Sequence, residues 1–236
     1  MSTTMPESLA EQIIAEKIRE WELKRKEHKE REERKAIRIH PFLAISRDFG
    51  CGEEEIIPAL EKTLHWKVYG RTLLDHLAER ETLSRRFIET LDEQDQNFLD
   101  NWINFLTRSS GVLQKDYVLK ISRMIKVIAA QESAILLGRG AHLILRDKKE
   151  GLRLKLTAPL AHRIQNIAKL KDIPPDEAET LVRQKDKERK QFMQSYFDTD
   201  LQNDAEFDLV LNTMTLTTGM ICTIIDLVFK EKKRAE

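Results

Sequence analysis

From about Ile37 onward, short apolar runs alternate with longer stretches whose apolar residues recur every three to four positions. Five runs have strand length: Phe42–Ser46, Lys67–Tyr69, Ala134–Leu137, Leu152–Thr157 and Leu209–Leu211. Between them, Ile56–Leu64, a long region from Leu73 to Gln131, and Pro159–Leu170 carry helical periodicity. Strand–helix alternation of this kind predicts an α/β protein with a mainly parallel sheet covered on both faces. Such sheets bind ligands beyond the carboxyl ends of their strands. Ser46, Gly138, Thr157 and Asn212 fall at those ends and mark where chemistry is expected.

The segment before this body has a different texture. Residues 7–38 hold nine glutamates and ten lysines or arginines and no glycine, a composition that favours a solvated helix laced with i,i+4 charge pairs. Its apolar residues (Leu9, Ile13, Ile14, Ile18, Trp21, Leu23) sit in the first half, and none occurs from Lys24 to Lys35. No sustained a/d heptad runs through it, so a long coiled coil is excluded. Two readings stay open: the first half packs on its own body or a twin chain, or it docks a different partner through residues 7–23. The expected organisation is a charged amphipathic helix over 1–36 followed by one domain over 37–236.

Charge narrows the function classes. The chain has 236 residues, 40 basic and 40 acidic, and the zero net charge gives no footing to a nucleic-acid-binding protein. No apolar run approaches the roughly 20 residues that span a bilayer, and the polar, acidic start does not resemble a signal peptide. Cys51 and Cys222 stand far apart in no metal-ligand spacing. A cytoplasmic protein is expected, with neither membrane nor nucleic acid as partner.

Three stretches carry candidate chemistry. In "AISRDFGCGEEEIIPALE" a strand runs into a loop with Gly50 and Gly52 and then a helix, the layout of a phosphate cradle. Against the pattern G-x-x-x-x-G-K-[ST], the lysine position holds Glu53 and the hydroxyl position Glu54 or Glu55. Glutamates there also suit an ordinary first helical turn, by about 0.3–1 kcal/mol each. "AILLGRGAHLIL" puts Arg139 in a tight turn after a strand, either as a phosphate-gripping fork or as a surface arginine. A third stretch, from Ala158 to Phe197, carries Arg163 and then a helix with Arg183, Lys185, Lys187, Arg189 and Lys190. It reads as a mobile cationic lid or as a solvated charged helix.

In this order, the stretches resemble the cytidylate kinase-like family of P-loop nucleoside monophosphate kinases, over about residues 37–229. "ISRDFGCGEEEI" is similar to its strand and Ser-Arg-x-aromatic-Gly-x-Gly loop, and "WKVYGRTLLDHLAE" to its "YDRELIEE"-like segment. "ILLGRGAHLIL", the Asp186–Arg189 region and "FDLVLNTMTLT" resemble its Gly-Arg turn, its lid and its Asn-Thr turn near adenine. The resemblance implies a P-loop NTPase-like three-layer α/β/α fold with a five-stranded sheet, helical insertion and lid. It implies transfer of the ATP γ-phosphate to CMP or a related monophosphate, assisted by Mg²⁺. On the matching positions, Ser46, Arg47, Phe49, Gly50, Cys51 and Gly52 would wrap the ATP phosphates, and Asn212 with Thr213 would border the adenine. Arg71 and Arg139 would hold the acceptor. Arg163, Arg183 and Arg189 would act as lid cations, with Asp186 orienting an arginine or substrate.

Two departures matter. Family members commonly carry Gly and then a basic residue where Glu53 and Glu54 stand. A carboxylate about 5 Å from a phosphate charge costs roughly 3 kcal/mol at an effective dielectric near 20, so an inward Glu53 would abolish ATP binding. An outward one would cost far less, and Glu55 holding a bridging Mg²⁺ would reverse the sign. The turn also has Gly140 where typical cytidylate kinases have aspartate, which leaves the acceptor base open. The alternative is a weak or inactive pseudokinase or nucleotide sensor that binds a partner through the N-terminal helix.

Overall fold

The computed structural model describes residues 12, 15–21, 39–79, 112–197, 199 and 203–234. The charged run Lys24–Lys35 and the middle of the long helical region, 80–111, lie outside the described residues. The chain divides into two compact units, one from Phe42–Val68 and Ile135–Glu236, the other from Ser2–Pro41 and Tyr69–Ala134.

In chain order the elements are β1 (Phe42–Arg47), α1 (Glu53–Leu64), β2 (Lys67–Tyr69), α2 (Arg71–Glu79), α3 (Val112–Gln131), β3 (Ala134–Leu137) and α4 (Ala141–Ile144). There follow β4 (Leu152–Thr157), α5 (Leu160–Lys171), α6 (Pro175–Phe197), a 3-10 turn at Asp204–Glu206, β5 (Leu209–Asn212) and α7 (Thr218–Arg234). The strands form one sheet ordered β2-β3-β1-β4-β5. β4 runs parallel to both its neighbours, with Ser46 opposite Lys155 and Thr157 opposite Asn212.

Burial follows position in this sheet. Five consecutive residues of central β1, Phe42 to Ser46, are buried because both its faces are covered, which is why the first four read as an unbroken apolar run. β4 alternates, burying Leu152, Leu154 and Leu156. These side chains share a core with Ile56 and Leu60 of α1 and with Ile221 and Ile225 of α7, which packs along α1. α5 and α6 pack together around Ile167, Ala178 and Val182, and Phe49 from the β1–α1 loop packs against that cluster. The loop is thereby anchored from outside the sheet.

Within the other unit, α2 packs on α3, and Tyr117 Oη donates to Asp75 Oδ1 at 2.6 Å. The helical residues 15–21 bury Ile18 and Trp21 completely in their own chain. Lys17 Nζ donates to Glu132 Oε2 at 2.7 Å, and the Tyr69 hydroxyl donates to Glu132 Oε1. Burial opposes the Lys17 charge, but the hydrogen bonds to Glu132 and Glu20 outweigh it and hold its pKa above the usual value. Among the described residues no helix is long and apolar enough to cross a membrane.

Candidate functional site

Five residues join β1 to α1, and glycine is required at two of them. Gly50 and Gly52 have φ of 84° and 88°, in the left-handed region that side chains strain to enter. At Gly50 the backbone of α5 comes so close that a Cβ would stand 2.8 Å from both Arg163 O and Ile167 Cγ1. Cys51 N–H closes a turn onto Asp48 O at 3.4 Å, and the N–H groups of Glu55 and Ile56 return to Gly52 O, each at 3.2 Å. Among the described residues no protein acceptor takes the N–H groups of Gly50, Gly52, Glu53 or Glu54. These donors sit at the positive end of a 12-residue helix, an arrangement able to receive an anion.

The three glutamates part company. Glu53 turns onto Arg47 Nε in a short charge-assisted hydrogen bond and lies 3.5 Å from Arg189 Nη2. It is only 15% exposed, so two guanidinium groups neutralise it inside the protein. Glu54 and Glu55 are exposed and line a cavity of about 610 Å³ whose floor includes Gly50, Cys51 and Gly52. Glu55 Oε1 accepts from Thr218 Oγ1 at 2.8 Å. The same cavity wall offers Lys169 and His162 as polar groups and Leu170 and Leu216 as apolar surface, with buried Ile167 behind them.

Behind the loop, α5 and α6 supply its polar supports. Arg163 is buried, with Nε on Ala158 O at 3.0 Å and Nη1 on both Phe49 O, at 3.1 Å, and Asp186 Oδ2, at 2.7 Å. Asp186 Oδ1 accepts from Phe49 N–H at 3.3 Å. Asn166 Nδ2 donates to Gly50 O at 2.9 Å, and Arg189 Nη1 to Arg47 O at 2.6 Å. Two loop carbonyls, and that of Arg47 at the loop's root, are thus held from outside while the N–H groups of Gly50, Gly52, Glu53 and Glu54 stay open. Burial, then the neighbouring Arg47, pull the Arg189 pKa below its usual value, and Glu53 works against that pull. Burial, reinforced by Glu53, pushes the Cys51 thiol up to about 12, which keeps it protonated and unreactive at neutral pH.

The remaining sequence candidates fall as follows. Ser46 is a buried residue of β1 at the loop's root. Arg139 adopts φ 52° between Gly138 and Gly140, and its guanidinium stacks 4.6 Å above the Phe192 ring of α6. Arg183 is exposed on α6 and pairs with Glu179. Thr213 lines the cavity, whereas the Asn212 side chain accepts from Met214 N–H and shapes the turn. Arg71 opens α2 in the other unit, exposed, with Nε 3.7 Å from Asp75. Sequence reading passed over Asn166, Ile167 and Leu170. They follow Arg163 at three, four and seven residues, the spacing of one helix face, and that signal was available.

A sheet in this order, with a glycine loop running from its central strand into a helix N-terminus, defines a P-loop NTPase-like α/β protein. Residues 42–215 match the cytidylate kinase-like family, and the chain belongs to it. It is 32% identical over 121 residues to a cytidylate kinase of Desulfurococcus amylolyticus, a match covering 48% of this chain and 64% of that one. It is 28% identical over 190 residues to the cytidylate kinase of Sulfurisphaera tokodaii, covering 78% of this chain and 93% of the relative. A crystal structure of an uncharacterized protein from Eubacterium ventriosum superposes with a TM-score of 0.61 at 17% identity, over 81% of this chain and 99% of that one.

Proposed function

We propose that this protein is a nucleoside monophosphate kinase that moves the γ-phosphate of ATP to CMP or a related monophosphate. One observation carries the reading. Gly50, Gly52 and Glu54, whose N–H groups take no protein acceptor among the described residues, line a cavity of about 610 Å³, and the glutamate in the lysine position is turned onto Arg47 and Arg189. In this reading the N–H groups of Gly50, Gly52, Glu53 and Glu54 bind the ATP phosphates. Thr213 and the apolar wall of Leu170 and Leu216 receive the base. Arg139 binds the acceptor phosphate, and the exposed Arg183 of α6 supplies a further cation. Arg163, Asp186 and Arg189 keep the loop in its donor-inward shape and set a positive background behind it. Catalysis in such a site is positioning and charge stabilisation.

Mg²⁺ fits the cavity in one mode. Among the described residues no three acidic, histidine or cysteine side chains gather into a protein-built metal cage. Magnesium on nucleotides is held by phosphates and water with one or two carboxylates, and Glu54 and Glu55 stand in the cavity wall. When bound, the ion neutralises charge on the transferring phosphates. A coupled assay with ATP, Mg²⁺ and each of CMP, dCMP, UMP and AMP tests the proposal. Turnover with a pyrimidine monophosphate is expected, and no turnover with any acceptor by folded protein would sink it.

Glu54 and Glu55 also favour a second reading, a nucleotide sensor with weak or no turnover, because their charges face the space that phosphates would fill. Calorimetry separates the two: a sensor binds ATP, CMP or CDP without consuming ATP.

A further inference from the structure

Helix α5 meets the phosphate loop along the face that carries Arg163, Asn166 and Ile167. Two of these side chains end on consecutive loop carbonyls, Arg163 on Phe49 O and Asn166 on Gly50 O. Those carbonyls belong to the two peptide planes that meet at Gly50. On the far edge of the first plane lies the open N–H of Gly50. On the far edge of the second lies the Cys51 N–H, which closes the turn onto Asp48 O. A glycine at φ 84° is where a peptide plane turns over most easily, since no Cβ resists the rotation. The first plane is secured by a guanidinium that Ala158 O and Asp186 also hold. The Gly50 carbonyl of the second plane is held by Asn166, by one hydrogen bond of 2.9 Å.

We infer that Asn166 is a positioning residue of the phosphate cradle, its amide holding the Gly50 carbonyl against α5 so that the loop presents donors to an anion. Its consequence for catalysis rests on the nucleotide reading above, while its effect on the loop does not. A turned-over Gly50–Cys51 plane would break the Cys51–Asp48 bond and free a carbonyl beside the cavity that Gly50 and Cys51 both line. An acceptor in that place repels the phosphate that the neighbouring N–H groups attract.

The test uses the full chain. Asn166→Leu removes the donor with little change in volume, Asn166→Asp replaces it with an acceptor, and Asn166→Gln keeps an amide. Amide exchange is followed residue by residue by NMR in the absence of nucleotide. Binding of ATP and of inorganic tripolyphosphate is measured alongside. The Cys51 amide should exchange about tenfold faster in the Leu and Asp variants, the loss of one ordinary hydrogen bond. Amides of β4 and the rest of α5 should keep their rates, and both anions should bind about tenfold more weakly. The Gln variant should recover part of both effects. Unchanged exchange at Cys51 overturns the inference even if binding weakens, because Asn166 then acts by touching the ligand. Exchange that rises across the whole unit overturns it as well, as the mark of a general packing role. If the wild type binds neither anion, the nucleotide reading fails, and the exchange data still decide what Asn166 does.

Discussion

Replacing Glu53 by glutamine asks whether the acidic residue in the lysine position obstructs the cradle or supports it. The substitution removes one negative charge and keeps the side-chain shape. Coulomb terms add, so the flanking arginines do not diminish the change felt by a phosphate in the cavity. For a phosphate charge about 5 Å away the gain is roughly 3 kcal/mol at an effective dielectric near 20. Water in the cavity and salt shrink this to about 1–2 kcal/mol, near tenfold in affinity. The fold pays for it: Arg189, already opposed by burial and by Arg47, loses the carboxylate that favours its charge. A half-buried pair of this kind is worth about 1–2 kcal/mol, so the melting temperature should fall by a few degrees.

These two effects are coupled by mass action. Tripolyphosphate or ATP should raise the melting temperature of Glu53→Gln more than that of the wild type, and most at low ionic strength. Calorimetric titration of both proteins with tripolyphosphate, without metal, at two salt concentrations reads the affinity directly. If the variant melts lower and binds no tighter at either salt concentration, Glu53 serves the loop's geometry more than it harms its field, and the charge reasoning is wrong.

Gly50→Ala should cost at least about 2 kcal/mol, combining the positive φ with a Cβ driven into the α5 backbone; a denaturation midpoint close to wild type would contradict the close approach of α5. His142 gives a pH prediction. Burial first, then the charges of Arg153 and Lys155, push its imidazole from 6.5 down to about 4. The unfolded chain binds this proton before the folded one does, so the contribution is complete above pH 6.5 and is lost as the pH falls toward 4, by about 3 kcal/mol. Urea midpoints measured from pH 7 to 4.5 should therefore fall more steeply for the wild type than for His142→Leu, and parallel curves would count against a neutral, buried His142.

The strands were legible because burial dictates their composition: β1 opens with four apolar residues, Phe42 to Ile45, where the sheet is covered on both faces, and β4 alternates. The start of α1 was not. Apolar periodicity begins at Ile56, whereas the helix begins at Glu53, because its first turn is acidic and invisible to a hydrophobic pattern. For the N-terminal segment, periodicity left open whether the apolar face stays at home or docks elsewhere. The complete burial of Ile18 and Trp21 in the same chain accounts for that face over residues 15–21. The loop's glycines could be read because positive φ selects them. That Arg163, Asp186, Arg189 and Asn166 support the loop could not be read, although the first three were singled out and Asn166 shares the Arg163 face, since their pairing with the loop depends on tertiary placement.

Placement also decides what three consecutive glutamates mean. Charge counting along "GEEE" assigns each the same repulsion toward a phosphate. In the folded chain Glu53 is turned onto two guanidinium groups, Glu54 lies exposed at the cavity, and Glu55 is hydrogen-bonded to Thr218. A loop lysine would bring positive charge to the cradle from within. Here Arg163 and Arg189 stand behind the loop, each beside a carboxylate, Asp186 or Glu53, and each donating to a backbone carbonyl, Phe49 O or Arg47 O. The same two groups therefore set the local field and fix the peptide planes, and perturbing either should alter anion affinity and loop protection together. A lysine in the ordinary position would link only the first of these to its charge.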